Sequence, residues 1–197
     1  MTTSFPQNKS PIVLAVCGAS GQIYARWVLK LLLKHTDLSI CLIMSRSAGQ
    51  VLHDELGVGD LAEGLDEGRD RIFVCNDNQM DHELASGSVR TQGMIICPCS
   101  LNTLAGLAGG LSDNLIKRAS QVHLKQRRKL VVAVREMPLG LIDLENMVRL
   151  TQAGAIVTPI SPAFYHCPRD IDALVEFAAR KLVELVVEIP GGYEYHP

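Results

Sequence analysis

Short apolar runs alternate with longer amphipathic ones from end to end of the chain. "PIVLAVC", "LSICLIM", "RIFVC", "GMIIC", "KLVVAV" and "GAIVTPI" are brief, rich in β-branched residues and bounded by Gly, Pro, Asn or Ser. Runs of that kind read as strands buried on both faces, as in a parallel sheet. Between them lie "IYARWVLKLLLKH", "AGQVLHDEL", "TLAGLAGG", "DNLIKRASQVHLKQ", "LIDLENMVRLTQAG" and "DIDALVEFAARKLVELVVE". These place apolar residues three and four positions apart and predict helices. A repeated strand, helix, strand order requires right-handed crossovers, so the expected fold is α/β: an open parallel sheet with helices on both faces, in a single domain. Its ligands belong beyond the carboxyl ends of the strands. The pattern runs over residues 11–187, which leaves an extended or disordered tail over 1–10 and a second tail over 188–197 that either covers a neighbouring copy or frays. One internal stretch breaks the alternation. Gly57 to Asp70, "GVGDLAEGLDEGRD", is acidic and glycine-rich, and reads as a solvated loop or a short irregular helix.

Composition narrows the class. A chain of 197 residues that is 47% hydrophobic can bury one substantial core. Charged residues make up 20% and nearly balance, for a net charge of -2, so no field suited to nucleic acid or an acidic membrane is expected. No apolar run reaches the roughly 20 residues that cross a bilayer. The polar start "MTTSFPQNKS" lacks the layout of a signal peptide, and a cytoplasmic protein is expected. In that reducing compartment the six cysteines, Cys17, Cys41, Cys75, Cys97, Cys99 and Cys167, read as buried thiols rather than a disulfide framework. Cys97-Pro98-Cys99 has the wrong gap for zinc and no partner pair, so no metal site is expected.

The candidate chemistry sits at the strand ends. "CGASGQIY" carries Gly18, Ala19 and Ser20 straight into a helix, in outline a phosphate or flavin cradle and equally a glycine-rich turn with a serine cap. Ser45 and Ser47 stand where the next helix begins. In "ICPCSLNTLAG", Pro98 is expected to break the strand, and Ser100, Asn102 and Thr103 then open a helix of small residues that would suit a planar polar ligand close to the backbone. Arg118 and Lys125 are seven apart, hence on one helix face. Arg135 and Glu136 close the fifth strand, and Tyr165 precedes the last helix. Gathered cations could hold a phosphate, although "KQRRK" also reads as a solvated basic face.

Taken together these strings resemble the UbiX-type flavin prenyltransferases, a branch of the flavoprotein family. The resemblance rests on "GASGQIYA", "LIMSRSAG", "ASGS", "ICPCSLNTLAG", "DNLIKRASQVHLKQRRKLVVAVREMPLGLIDLENMVRL" and "PAFYHCP", and spans roughly Pro11 to Leu185. It implies a Rossmann-like fold and a metal-independent transferase. The implied reaction alkylates reduced FMN at N5 and C6 with the dimethylallyl group of dimethylallyl phosphate, and the product serves a UbiD-type decarboxylase in ubiquinone synthesis or aromatic-acid breakdown. By matching position, the resemblance assigns FMN contacts to Gly18, Ala19, Ser20, Ser45, Ser100, Leu101, Asn102, Thr103 and Arg135. It assigns the donor phosphate to Arg118, Lys125, Tyr165 and Lys181, with Glu136 beside them, and catalytic roles to Ser20, Glu55, Lys125 and Glu136. It further implies a homo-oligomer, a dodecamer, with sites at subunit boundaries.

Two positions depart from the family pattern. Lys181, preceded by Arg180, stands where the family has Arg, and Met80 is the nearest match to an aromatic residue beside the allyl group. The competing expectations are a flavin-dependent decarboxylase of aromatic acids or of a peptidyl cysteine, and a non-catalytic FMN-binding subunit. The peptidyl-cysteine branch carries a histidine after the first strand, where this chain has "ASGQIYA".

Overall fold

The structure, a computed structural model, describes residues 10–65 and 67–191. Nearly all of the first tail and the end of the second therefore lie outside the described residues. Each predicted strand forms: β1 (Ile12–Val16), β2 (Ile40–Met44), β3 (Ile72–Asn76), β4 (Gly93–Cys99), β5 (Leu130–Val134) and β6 (Ile156–Pro159). The helical patterns become α1 (Gln22–His35), α2 (Arg46–Leu56), α3 (Leu101–Ala108), α4 (Leu115–Lys125), α5 (Leu141–Ala153) and α6 (Ile171–Glu184). The strands make one sheet in the order β3-β2-β1-β4-β5-β6, and every pairing is parallel.

Alternation along each strand sends side chains to two cores. Ile12, Leu14 and Val16 of β1 face one cluster, covered by Leu29 of α1, Leu52 of α2 and Val183 of α6. Val13 and Ala15, with Cys17 just beyond, face the other, covered by Leu104 of α3, Ile116 of α4 and Met147 of α5. Full burial of each such aliphatic side chain contributes about 1.5–3 kcal/mol, which is why continuous apolar strands sit in the middle of the sheet. The strand order reverses direction between β1 and β4, the crevice in which open α/β sheets take ligands.

Two local expectations are corrected. Pro98 does not end the fourth strand; β4 continues to Cys99, and its ladder with β5 slips between Ile96 and Cys99 instead. A proline lacks the N–H a central strand needs, so the strand tolerates it at an irregularity, where the Pro98 carbonyl still accepts the Cys17 N–H at 3.2 Å. The stretch from Gly57 to Asp70 is not simply solvated. Leu61 and Ala62 are buried in the first core, and Arg69 ties the turn by donating to the Asp60 carboxylate and the Ala62 carbonyl. Near the other terminus, Ile189 packs on the same core and Arg180 donates to the Pro190 carbonyl at 2.8 Å.

Candidate active site

Because all six strands are parallel, the segment after each one emerges at the same edge of the sheet. The turn after β1 is the tightest. A Cβ on Gly18 would lie 2.3 Å from the Ser47 Oγ, so only glycine lets this turn approach the start of α2. Gly21 adopts φ 103°, a left-handed conformation, and heads α1 without a side-chain cap of its own. The turn is braced from within by Gln22, whose buried amide donates to the Cys17 and Ala19 carbonyls, both at 2.9 Å.

The N-terminus of α1 is occupied by a protein carboxylate. Glu55, in the last turn of α2, accepts the Gly21 N–H at 3.0 and 2.9 Å through its two oxygens, and the Gln22 N–H at 2.8 Å. The free amides of this helix start, a natural anion site, are thus satisfied by an acid from another element. Partial burial pushes the Glu55 carboxyl up. The Ser20 hydroxyl and the Gln22 and Gly21 amides, with Arg135 nearby, outweigh it and hold the group below its ordinary range. Ser20 is therefore no helix cap; it is an exposed hydroxyl paired with an ionised carboxylate.

Neighbouring helix starts present hydroxyls. Ser45 caps α2 through the Ala48 N–H at 3.1 Å and meets the Ser47 hydroxyl at 3.2 Å. Ser100 caps α3 through the Thr103 N–H at 3.3 Å and donates to the Thr103 hydroxyl at 3.1 Å, with Leu101 half-buried and Asn102 exposed beside it. After β5, Arg135 reaches the first turn: its Cδ lies 3.7 Å from the position of a Cβ on Gly21. Its Nε is buried and has no hydrogen-bond partner among the described residues. A buried donor of that kind needs an acceptor. With the glycine turn and capping hydroxyls around it, a cation with this unanswered donor fits a planar, anionic cofactor such as FMN. Glu136, next along, is exposed and accepts the Met137 N–H at 3.0 Å.

Tyr165 and Lys181 meet across Phe177. The tyrosine ring stands edge-on to Phe177 at 5.5 Å, His166 stacks on it at 4.4 Å, and the Lys181 Nζ lies 5.9 Å from the same ring centroid. Lys181 also pairs with Glu184 at 3.3 Å. Arg180 points the other way: it is 7% exposed and engaged with Pro190 and, at 3.5 Å, with the His35 Nε2. Of the two adjacent cations, Lys181 stands with Tyr165.

Arg118 and Lys125 do not join this rim equally. Leu115, which opens α4, donates to the Asp77 carbonyl just beyond β3, so that end of the helix is at the rim; Arg118 follows, donating to the Ala85 carbonyl at 3.0 Å. Lys125 closes α4, about 10.5 Å further along the axis. There the chain turns into the amino end of β5, so Lys125 is exposed near the opposite edge of its own sheet. α4 runs directly into the amino end of β5, which carries its C-terminus away from the carboxyl edge, whereas the last turn of α2 stays at that edge with Glu55; a shared helix face cannot reveal either. The brace of Gln22 and the pairing of Glu55 with α1 are likewise absent from any sequence motif; the only hint is a polar residue directly after a glycine-rich turn.

Comparison with known proteins places the chain. Residues 2–188 match the family model described as Flavoprotein. A flavin prenyltransferase UbiX of Aquifex aeolicus is 41% identical over 177 residues, covering 89% of this chain and 92% of that protein. The solved structure of AnUbiX (PadA1) in complex with FMN and dimethylallyl pyrophosphate superposes with a TM-score of 0.84 at 34% identity, over 95% of this chain and 100% of that one. A dodecameric FMN-dependent UbiX-like decarboxylase from Escherichia coli O157:H7 gives 0.86 at 34% identity over the same shares.

Proposed function

The chain belongs to the flavoprotein family, and from that premise we infer that it is a flavin prenyltransferase of the UbiX type, joining a dimethylallyl group to reduced FMN. The observation that carries the reading is the rim itself: Arg135, with a buried donor unanswered, faces the Ser20–Glu55 pair at the crevice between β1 and β4. When bound there, reduced FMN supplies the nucleophilic N5 and C6 and a broad π face. Gly18, Ala19, Ser45 and Ser100 to Thr103 would hold it, and Arg135 would answer one of its anionic or carbonyl oxygens.

The remaining roles fall to side chains of this protein. Glu55 stays ionised and keeps the Ser20 hydroxyl hydrogen directed at its carboxylate, so the Ser20 oxygen faces the cofactor as an acceptor. That arrangement suits Ser20 to take a proton at N5 and pass one to Glu55. Three hydrogen bonds hold Glu55 low and make it a weak final base. Glu136, exposed and holding only a backbone amide among the described residues, is the better candidate for the C6 proton. Breaking the allylic C–O bond concentrates charge on the departing phosphate, which Arg118, Lys125, Tyr165 and Lys181 would stabilise.

Lys125 can serve only the site of another copy, which makes an oligomer part of the proposal. α5 and the turn before it expose Met137 (86%), Leu141 (72%) and Ile142 (72%), an apolar face suited to a second subunit, and a dodecamer follows the dodecameric neighbour. The product would pass to a UbiD-type decarboxylase. No helix of the described residues is long and apolar enough to cross a membrane. Anaerobic incubation with reduced FMN and either dimethylallyl phosphate or its pyrophosphate tests the activity and the donor together. The expected result is flavin heavier by one C5 unit from the monophosphate. Unchanged flavin with both donors, or carbon dioxide released from an aromatic acid by the protein alone, would remove the transferase reading.

A further inference from the structure

Three groups far apart in sequence meet beside the end of β3. The Cys41 Sγ on β2 and the Cys75 Sγ on β3 are 3.3 Å apart, and the His82 Nε2, from the turn that follows, lies 3.3 Å from the Cys75 Sγ. Cysteine spacing cannot reveal this site, because its members come from two strands and a loop. Two soft sulfurs and an imidazole could also hold zinc or copper(I), so the geometry has to decide.

It decides for a hydrogen-bonded thiolate on two counts. Zn–S bonds near 2.3 Å in a tetrahedron put two sulfurs about 3.8 Å apart, wider than the separation here, which suits an S–H donor on a sulfur acceptor. The His82 Nδ1 accepts the Leu84 N–H at 3.2 Å. That places a ring proton on Nε2, the nitrogen aimed at Cys75, whereas a metal would need that lone pair free. Cys75 thus receives two donors, and Cys41, wholly buried on an inner strand, keeps its proton. The hydrogen bond from Cys41 and then that from His82 hold the Cys75 thiol well below its ordinary range against burial, while Glu83 of the same turn opposes them. Asp81 also faces His82, and Arg118 of α4, packed on this turn, is engaged with the Ala85 carbonyl.

We propose that Cys75 is a thiolate modification site for small peroxides, with Cys41 as its resolving thiol. The sulfurs are within reach, and because Cys41 pairs across the ladder with Phe73, with Cys75 two residues further on, closing the S–S bond requires the edge strand to shift. Cys75 is 3% exposed, yet β3 is the edge strand, Val74 and Asn76 on either side are exposed, and the half-buried His82 of the following turn lies against the sulfur. Cys17 is also lowered, by Cys99, but it lies buried beyond a central strand without an imidazole partner. In the first step the Cys75 sulfur attacks one peroxide oxygen, the O–O bond breaks, hydroxide leaves, and sulfur loses two electrons to become a sulfenic acid. In the second, Cys41 attacks that sulfur, an S–S bond forms, and the Cys41 proton leaves with the sulfenic hydroxyl as water. The proposal does not depend on the transferase reading.

The experiment treats the full-length protein with one equivalent of hydrogen peroxide at pH 6, where an ordinary thiol is almost wholly protonated, and maps peptides by mass spectrometry. A parallel ultraviolet thiolate titration compares wild type with Cys75→Ser and His82→Ala. A Cys41–Cys75 cross-linked peptide is expected, reversed by dithiothreitol, with a low-pH thiolate transition that Cys75→Ser abolishes and His82→Ala moves upward by more than one pH unit. Oxidation at Cys167 with Cys75 intact, Cys75 oxidised while Cys41 remains free, or a wild-type titration identical to that of Cys75→Ser would each overturn the proposal. So would one equivalent of zinc or copper retained by wild type and lost from Cys75→Ser.

Discussion

The rim around Glu55 gathers an acid, hydroxyls and a cation within one chain, whereas Lys125, at the outer end of α4, stands apart from it. At the rim, hydroxyls and Arg135 arrive from four strand ends and Glu55 from the last turn of α2: Glu55 is on two amides of α1, while Ser45 and Ser100 cap their own helices. At the far end of α4, Lys125 stands exposed with no ion pair among the described residues, while Arg118, two turns back, donates through its Nε to a carbonyl. A parallel sheet converges its carboxyl ends by topology alone, whereas the end of a helix stays near that edge only where the chain bends back, as α2 does to bring Glu55 to α1. Lys125, at the end of a helix that runs straight into β5, would act in catalysis through a second copy that brings its own rim there.

The largest effect should come from splitting the two regions between subunits. Lys125→Ala and Arg135→Ala each remove a charged contact and should lower turnover by 100-fold or more, the scale of one lost transition-state donor. Co-expressed and co-assembled, the two variants place an intact Lys125 beside an intact Arg135 in a fraction of the sites. Mixed oligomers should regain a measurable share of wild-type turnover, while mixtures assembled separately should not. Absence of any recovery would return Lys125 to an ordinary solvated lysine.

Next in size is the packing that forms the rim. Gly18→Ala drives a methyl group into the Ser47 side chain and should destabilise the protein by about 1–3 kcal/mol, read as a lowered Tm. Ser47→Gly added to it should recover much of the loss, because the clash is with that side chain first. The same substitutions at Gly110, where a Cβ would meet nothing, isolate the cost of a left-handed φ from the cost of contact.

How much of this could be read from the chain follows the same division. Strands and helices were legible because apolar runs and 3.6-residue periods are local, and the parallel topology follows from their alternation. Candidate residues were legible at strand ends for the same reason. What stayed hidden depends on direction and on partners: Lys125 was grouped with Arg118 by helix face, although helix direction separates them. Ser20 passed for a cap because Glu55, 34 residues away from Gly21, takes that role. Pro98 read as a breaker because a bulge in the neighbouring ladder leaves no trace in composition.

The smallest effect tests Glu55 as a structural anion. Glu55→Gln keeps the shape but removes the charge at the start of α1, and should cost about 1 kcal/mol near neutral pH, the usual scale of a helix cap. The sign of its pH dependence follows from the depressed carboxyl. A folded-state pKa below the unfolded value, about 4.3 for glutamate, means that the folded form binds fewer protons in that window, so the contribution is present in full above it and fades as pH falls through the folded value. Urea midpoints for wild type and Glu55→Gln should therefore differ most near neutral pH and converge only as pH falls through the depressed folded-state value. Lys125→Ala, by contrast, should change stability by no more than about 0.5 kcal/mol, because its exposed side chain makes no ion pair among the described residues. A midpoint gap for Glu55→Gln that widens in acid would mean that the carboxyl is held protonated, and Ser20 would then have no anion to lean on.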